Sequence, residues 1–275
     1  MNSLGVTIRH VTKKYVTRRD GEVLALNDCS IGIHPEEFFV LVGPSGCGKT
    51  TLLNIVAGFD TLTSGDVSLG NMLIAAQGVI SDPGPDRMVV FQHGGLFPWM
   101  TVLENVCYGP IVQKQMTRAE ACNHARSMLA GVGLQGIEER YPGEMSSGMR
   151  RRVEIIRALI GRPKVLLMDE PFRALDALNK SVVQEFLLRL FDTHLNTIFF
   201  ITHDLREALF LGDRVGVMTT RPGRVKTIID VGLPRPRSTR MLDSRDFLRL
   251  NAQVTEEVHE EALEAFAAGE REAAR

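Results

Sequence analysis

The chain has 275 residues, 44% of them hydrophobic, and a mean hydropathy near zero, so it can bury a full core as one large domain or two lobes. The formal net charge is -1 with both signs interspersed, which gives no broad basic field and argues against nucleic acid as the primary partner. Four cysteines stand far apart without a C-x-x-C pair and predict neither a zinc site nor a disulfide framework.

Membrane-spanning and secreted proteins are also disfavoured. No apolar run approaches the roughly 20 residues that a membrane helix needs, and residues 1–21 lack the apolar centre of a signal peptide. We therefore expect a soluble, globular protein that stays in a reduced cytosol.

The first third of the chain predicts strands and one helix. "LGVTIRH" alternates, "VLALNDCSIGI" follows a turn at Asp20-Gly21, and "SGDVSLGNMLI" is typical of a hairpin. Between them, the apolar run "EFFVLV" indicates a buried parallel strand, and "TTLLNIVAGF" has helical spacing that ends at Gly58.

Helices dominate the middle of the chain, after the turn-rich "SDPGPDR" and the short apolar strand "MVVFQ". "TRAEACNHARSMLAGVG" opens with Thr117 and Glu120 at capping-box spacing and stops at Gly131. "SGMRRRVEIIRALIGRP" predicts a second helix, ended by Gly161 and Pro163. We therefore expect a helical insertion between about residue 93 and residue 162.

Strands and helices alternate from residue 163, in the order "KVLLMDE", "SVVQEFLLRLF", "TIFFITH", "LREALFL" and "RVGVMTT". This alternation predicts an α/β fold with a parallel sheet covered by helices. In the tail, Phe247, Leu250, Val254 and Val258 recur at helical spacing opposite an acidic face and predict one or two docked helices.

The segment "GPSGCGKT" matches the phosphate-binding loop G-x-x-x-x-G-K-[ST], with Gly43, Gly48, Lys49 and Thr50 at the fixed positions. Glycines let successive N–H groups point at phosphate oxygens, and the helix start adds its positive dipole end. Lys49 is expected to reach the β- and γ-phosphates, and Thr50 to bind Mg²⁺. The alternative is an ordinary glycine-rich turn with an exposed lysine.

The apolar run in "VLLMDE" predicts a strand that ends in two acidic residues, Asp169 and Glu170. Asp169 is expected to hold the Mg²⁺ shell, and Glu170 to orient and deprotonate an attacking water. The alternative is a solvated acidic pair that closes a strand.

Five ordered motifs, "GPSGCGKTT", "VVFQ", "MSSGMRRRVEIIRAL", "VLLMDEPFRALD" and "ITHD", resemble those of ATP-binding cassette (ABC) ATPases over nearly the whole chain. The resemblance implies a P-loop NTPase fold, with a RecA-like parallel sheet core and an antiparallel β subdomain, interrupted by an α-helical subdomain. It further implies a core with the β subdomain at residues 1–92, a helical signature subdomain at 93–162, the second part of the core at 163–235 and a helical tail at 236–275.

The resemblance also implies residue roles. Glu170, His203, Gln92 and Lys49 are the expected catalytic residues, and Thr50, Gln92 and Asp169 the expected Mg²⁺ ligands. The expected nucleotide contacts are Tyr15 on adenine, Gly43, Pro44, Ser45, Gly46, Cys47, Gly48, Lys49, Thr50 and Thr51 around the phosphates, and Ser146, Ser147, Gly148, Met149 and Asp176 across a head-to-tail dimer that encloses two ATP molecules.

Several of these positions have simpler interpretations. Tyr15 is otherwise a strand tyrosine on an open face. His203 is otherwise a capping group of the following helix. Cys47 has two interpretations: its position near a lysine and a helix start predicts a lowered thiol pKa and a reactive thiol, whereas the preferred alternative is a neutral filler at a variable position.

The signature loop "MSSGM" departs from the usual LSGGQ. Ser147 stands where glycine is usual, so its side chain is expected either to hinder close approach of the backbone to phosphate or to require a less favourable φ. The basic run Arg150, Arg151 and Arg152 is interpreted as a solvated helix face, with phosphate contact as the alternative.

"GPDRMVVFQ" and "LFPWMTVLENV" resemble the importer branch that includes nitrate, taurine and sulfonate systems. This implies an ATPase on the cytoplasmic side of the membrane that serves an integral membrane permease and, indirectly, a periplasmic or extracellular solute-binding protein. Phe97, Trp99 and Met100 would form an apolar socket for the permease; the alternative for Trp99 is core packing.

A soluble cassette ATPase acting on nucleic acid or ribosomes is disfavoured because the chain has neither a tandem cassette nor a long coiled coil. A catalytically dead scaffold is disfavoured by the intact Lys49, Asp169, Glu170 and His203.

Overall fold

A computed structural model describes residues 3–17, 21–80, 82–194 and 196–273. The chain forms two compact units: unit 1 comprises Met1–Pro83 with Leu195–Arg275, and unit 2 comprises Gly84–His194. The finer division of the chain at residues 92, 162 and 235 stays a prediction. In the part of the chain that the structure describes, no helix is both long and apolar enough to cross a membrane.

Within the described residues, unit 1 contains strands of two sheets and three α-helices, numbered along the chain. Its strands are β1 (Val6–Thr17), β2 (Gly21–Ile33), β3 (Phe38–Val42), β4 (Ser64–Leu69), β5 (Met72–Ala76), β6 (Val79–Ile80), β9 (Thr197–Ile201), β10 (Arg214–Met218) and β11 (Val225–Asp230). Its α-helices are α1 (Lys49–Ala57), α6 (Leu205–Leu211) and α7 (Arg245–Ala273), and a 3-10 helix spans Thr239–Asp243.

One sheet of unit 1 is antiparallel, in the order β2-β1-β4-β5-β6. Val6 on β1 pairs with Ile33 on β2 and with Leu69 on β4, and all three side chains are buried. The predicted hairpin in "SGDVSLGNMLI" is confirmed as β4 and β5.

The other strands of unit 1 pair in the order β11-β10-β3-β9, in which β10, β3 and β9 are parallel and β11 is antiparallel to β10. Every residue of β3 and β9 is buried, as the apolar runs at residues 38–42 and 198–201 predict. Phe38 packs on Phe200 with ring centroids 5.7 Å apart, so these two strands form the centre of the unit 1 core.

The predicted tail helix is confirmed as the single helix α7, which buries Phe247, Leu250 and Val254. Lys226 on β11 anchors it: the Lys226 Nζ lies 2.6 Å from a Glu260 carboxylate oxygen and 3.1 Å from one of Glu257. The hydrogen bond to Glu260 is the main cause that raises the pKa of Lys226 above its usual value.

Unit 2 holds the strands β7 (Arg87–Val90) and β8 (Val165–Asp169), a 3-10 helix (Pro142–Glu144), and the α-helices α2 (Val102–Val112), α3 (Arg118–Gly131), α4 (Ser147–Leu159) and α5 (Ala177–His194). β7 and β8 are parallel neighbours, and β8 is entirely buried. The predicted start and end of α3 are confirmed, including the capping box of Thr117 and Glu120.

Helix α2 had not been identified from the sequence. It begins with a second capping box, in which the Thr101 side chain accepts from the Glu104 N–H and Glu104 accepts from the Thr101 N–H. Pro110 lies inside this helix and obscured the helical spacing.

Candidate functional site

The phosphate loop of unit 1 connects β3 to α1. Gly43, Gly46 and Gly48 have φ values of 157°, 79° and 95°. A Cβ at Gly48 would lie 2.6 Å from Leu26 Cδ2 and 3.1 Å from the Ala25 oxygen, so only glycine fits there. Among the residues that the structure describes, none caps the start of α1 with a side-chain hydrogen bond.

Lys49 lies inside this loop. It is 6% exposed, and its ammonium group donates to the Gly43 oxygen at 2.8 Å and to the Pro44 oxygen at 3.0 Å. The interpretation of an exposed lysine on an ordinary turn is therefore wrong. Of the other loop positions, Ser45, Gly46 and Thr50 are exposed, Pro44 and Thr51 are half-buried, and Cys47 is buried.

The expectation of a reactive Cys47 is also wrong. Burial raises the pKa of the Cys47 thiol above its usual value, and the nearby Lys49 ammonium, 3.5 Å from the sulfur, offsets only part of this. The sequence showed the lysine and the helix start but not the full burial of the sulfur, which outweighs both.

Tyr15 stands near the end of β1 and is 37% exposed. Its hydroxyl donates to Asp60 Oδ2 at 2.6 Å, while Lys13 donates to Asp60 Oδ1 at 2.6 Å and lies 4.7 Å from the centre of the tyrosine ring. Burial, followed by the Asp60 carboxylate, raises the pKa of Tyr15. Asp60 and Lys13 therefore fix the ring of the residue proposed for adenine stacking.

His203 follows β9 and is exposed. The residue that caps α6 is Asp204, whose side chain accepts from the Glu207 N–H at 3.1 Å. The alternative of a capping role for His203 is therefore wrong, and its role at the γ-phosphate stays a prediction.

Unit 2 brings Gln92 and Glu170 together. Because β7 and β8 are parallel neighbours, the residues that follow them meet at one edge, and Gln92 Nε2 donates to Glu170 Oε2 at 3.2 Å. Asp169, the last residue of β8, is 8% exposed. Glu170 is half-buried and has a φ of 40°, a conformation that non-glycine residues rarely adopt. The interpretation of a solvated acidic pair is therefore wrong.

The signature segment forms the start of α4. Ser146 is the N-cap, and its Oγ accepts from the Met149 N–H at 3.3 Å. Gly148 is buried so close to Asn179 that a Cβ would lie 2.6 Å from Asn179 Oδ1. Asn179 in turn donates to Asp176 Oδ2 at 2.6 Å, so the structure connects the signature segment to Asp176.

Ser147 is the first residue of α4, and its φ is not positive. The expectation that a residue there needs a less favourable φ is wrong, because an ordinary helical backbone accepts a side chain. Whether the serine hinders approach to phosphate stays a prediction.

The basic run of α4 is not a solvated face. Arg151 is 5% exposed; it pairs with Glu154 at 2.6 Å and donates to the Phe91 and Gln92 oxygens at 2.8 and 2.9 Å. Arg150 donates to the Met145 oxygen, and Arg152 to the Val132 oxygen at 3.0 Å. These arginines satisfy carbonyl groups within unit 2, so the solvated interpretation is wrong.

Arg151 was misinterpreted from the sequence, and its partner Glu154 was not identified. Glu154 accepts from the Gly95 N–H at 3.1 Å, and Arg151 holds the carbonyl of Gln92. Together they fix the backbone on both sides of Gln92. The sequence contained a signal for this pair. Arg151 and Glu154 are three residues apart on one helix, and the neighbouring Val153, Ile155 and Ile156 are apolar, which indicates a buried ion pair.

A cavity of about 400 Å³ in unit 2 lies along α2, and we call it the α2 cavity. Its lining consists of Trp99, Met100, Leu103, Glu104, Cys107, Tyr108, Ile111, Val112, Arg118 and Cys122. Trp99 is 70% exposed, and its ring lies 5.5 Å from the Phe97 ring. The alternative that Trp99 packs in a core is wrong.

The motifs and this geometry agree with the comparison with known families. The family described as "ABC transporter" matches residues 26–173, more than half of the chain. The protein belongs to the ABC transporter family. As a member it has the α/β P-loop ABC ATPase fold and is an ATP-binding, ATP-hydrolysing enzyme.

Among curated relatives, this ABC ATPase is 45% identical to the bicarbonate transport ATP-binding protein CmpD of Synechocystis, over 84% of this chain and 80% of that protein. It is 41% identical to the nitrate import ATP-binding protein NrtC of Synechococcus elongatus, over 86% of this chain but 35% of that longer protein. Among solved structures, it resembles the cassette MJ0796 in a dimeric post-hydrolysis state bound to ADP and Pi, with a TM-score of 0.68, 28% identity, and coverage of 83% of this chain and 100% of that one.

Proposed function

We propose that this ABC ATPase is the energy-supplying subunit of an importer. Two copies pair head-to-tail around two MgATP, and hydrolysis drives a small solute of the nitrate, bicarbonate, taurine or sulfonate kind through a membrane permease. A solute-binding protein outside the cytoplasm delivers the solute, and the ATPase stays peripheral on the cytoplasmic face. The relatives CmpD, a bicarbonate transport protein, and NrtC, a nitrate import protein, support the solute class, and the dimeric MJ0796 cassette supports the pairing.

The observation that carries the proposal is the α2 cavity. An exposed tryptophan beside a concave apolar wall is the kind of anchor that protein interfaces bury. We assign it to a helix of the permease, because the cavity belongs to the segment that follows Gln92, and Gln92 contacts the proposed catalytic Glu170. A movement of the docked helix could therefore be transmitted through Gln92 to the carboxylate of Glu170.

In the proposed mechanism the phosphate loop holds ATP through its main-chain amides, and Lys49 turns from its own loop carbonyls to the β- and γ-phosphates. Tyr15 stacks on adenine, and the His203 side chain contacts the γ-phosphate. Glu170 accepts a proton from the attacking water. The signature segment of the second copy, Ser146–Met149 with Asp176, closes over the same ATP.

The proposed Mg²⁺ ligands suit that ion chemically. Thr50 offers a hydroxyl, Asp169 a carboxylate, and Gln92 an amide oxygen whose NH₂ side is oriented by Glu170. Bound Mg²⁺ would neutralise charge on the β- and γ-phosphate oxygens.

The enzymatic part of the proposal is tested with Glu170→Gln in the full chain. We expect turnover to fall by roughly a hundredfold or more, while ATP still binds and a dimer accumulates in light scattering with MgATP. The matched control is Glu139→Gln, an exposed carboxylate elsewhere in unit 2. Unchanged turnover in Glu170→Gln would remove this residue from the role.

The transport part is tested by affinity purification from membranes of the native host. We expect a multi-spanning permease with the wild-type chain, and at least tenfold less with Trp99→Ser, since an interface anchor contributes roughly 2 kcal/mol or more. The control is Leu248→Ser, an exposed apolar residue of α7. Recovery with ribosomes or nucleic acid instead would favour the soluble ABC-type ATPase.

A further inference from the structure

Two of the four free cysteines form a close pair in unit 2. Cys107 on α2 and Cys122 on α3 are 15 residues apart in sequence, and their sulfur atoms lie 3.7 Å apart. Cys107 is buried and Cys122 is half-buried, while Cys29 and Cys47 are both buried in unit 1. Cys107 and Cys122 are therefore neighbouring thiols, and the thiols of Cys29 and Cys47 can serve as internal controls.

The two sulfurs of the pair differ in accessibility. Burial, followed by the hydrogen bond to Cys122, raises the pKa of Cys107 to about 12, so Cys107 stays a thiol. Cys122 is the sulfur that a reagent in water meets first. To form a disulfide, the two atoms need to approach by only about 1.7 Å, from 3.7 Å to the roughly 2.0 Å of an S–S bond.

We propose that Cys107 and Cys122 are an oxidative modification site, at which a hydroperoxide produces a disulfide between α2 and α3. The peroxide transfers one oxygen to Cys122, which becomes a sulfenic acid, and hydrogen peroxide leaves as water. The Cys107 sulfur then attacks the Cys122 sulfur, the S–O bond breaks, and the hydroxide departs with the Cys107 proton as a second water. The two thiols lose two electrons, and the peroxide gains them.

The position of the two cysteines means that a disulfide between them would change the α2 cavity. Both cysteines line the α2 cavity, together with Trp99 and Tyr108. A disulfide draws α2 and α3 together at that wall and changes the surface offered to a docked helix. This consequence rests on the proposed function; the chemistry of the pair does not.

The chemistry is tested on the purified full chain, treated with hydrogen peroxide under native conditions and analysed by peptide mass spectrometry. We expect a linked peptide pair containing Cys107 and Cys122, a loss of two of the four titratable thiols, and full reversal by dithiothreitol. Cys29 and Cys47 should remain thiols, because both are buried. Retention of all four thiols, or a sulfinic acid at Cys122 without the linked pair, would overturn the proposal.

Matched variants establish the order of events. Cys107→Ser should stop the reaction at a sulfenic or sulfinic acid on Cys122, whereas Cys122→Ser should leave Cys107 as an unmodified thiol. The reverse pattern would contradict Cys122 as the first sulfur oxidised. Circular dichroism checks that both variants are folded.

The effect on docking is measured separately, by permease recovery with oxidised and reduced chains. We expect oxidation to lower recovery for the wild type and not for Cys122→Ser; equal recovery would overturn the effect on docking. If neither state recovers a permease, the proposed function fails while the linked peptide still decides the modification site.

Discussion

The starts of α1 and α4 are the two helix ends that we propose for phosphate contact, and they are built in opposite ways. At α1, glycines with positive φ carry the chain into the helix and no side chain caps it. At α4, Ser146 caps the helix by accepting from the Met149 N–H. A side chain of the chain itself therefore satisfies one N–H group at the start of α4, whereas the start of α1 is built from backbone alone.

The largest effect is expected from a substitution at the start of α1. Lys49→Ala should weaken ATP binding by roughly thirtyfold or more, because losing one partner of a desolvated charge pair costs about 2–5 kcal/mol. Isothermal titration calorimetry on the full chain measures this, with the exposed Lys114→Ala as the control. A near-normal ATP affinity would count against the phosphate-loop assignment.

The two helix starts differ in backbone φ, and the substitutions Gly48→Ala and Gly148→Ala test this difference. Gly48→Ala should lower the free energy of unfolding by about 3 kcal/mol, because φ is 95° and the new Cβ meets Leu26 and a backbone oxygen. Gly148 has no positive φ, and the new Cβ would meet the Asn179 side chain, which can shift, so Gly148→Ala should cost less, about 1 kcal/mol. Urea unfolding compares them, and equal costs would contradict the distinction.

The cap of α4 is tested by Ser146→Ala, which should lower the free energy of unfolding by about 1 kcal/mol. Thr117→Ala removes the equivalent cap from α3 in the same unit and should cost about the same. Only Ser146→Ala should also lower ATP turnover, measured by phosphate release at saturating ATP. Equal turnover in the two variants would limit Ser146 to a structural role.

The smallest effect is expected from Ser147→Gly. Because Ser147 already adopts a helical backbone, glycine relieves no strain and should cost about 0.5 kcal/mol of stability while turnover is maintained or raised. Phosphate release and urea unfolding on one preparation measure both quantities. A sharp fall in turnover would show that the serine hydroxyl has a function of its own.

Local patterns in the sequence predicted those elements whose determinants are themselves local. The α3 capping box, the buried runs of β3 and β8, and the glycine-framed start of α1 each follow from a few neighbouring residues. Helix α2 was missed because Pro110 reads as a helix breaker, although it lies in the last turn of a helix that Thr101 and Glu104 begin.

Contacts distant in sequence account for the errors. Arg151 is charged and looked solvated, but it reaches the carbonyls of Phe91 and Gln92, about 60 positions earlier. Cys47 looked activated by Lys49, but its burial decides the direction of its pKa shift. The contact of Gln92 with Glu170 depends on the pairing of β7 with β8, which cannot be predicted from the sequence of either strand alone.

The exposure of Trp99 has a practical consequence, because it is the single tryptophan of the chain. Tryptophan fluorescence therefore reports on one site, in the lining of the α2 cavity. A solvated indole emits at long wavelength, and burial of this ring against another surface should shift the emission to the blue. The protein thus carries an intrinsic optical probe of occupancy at that surface and needs no attached dye.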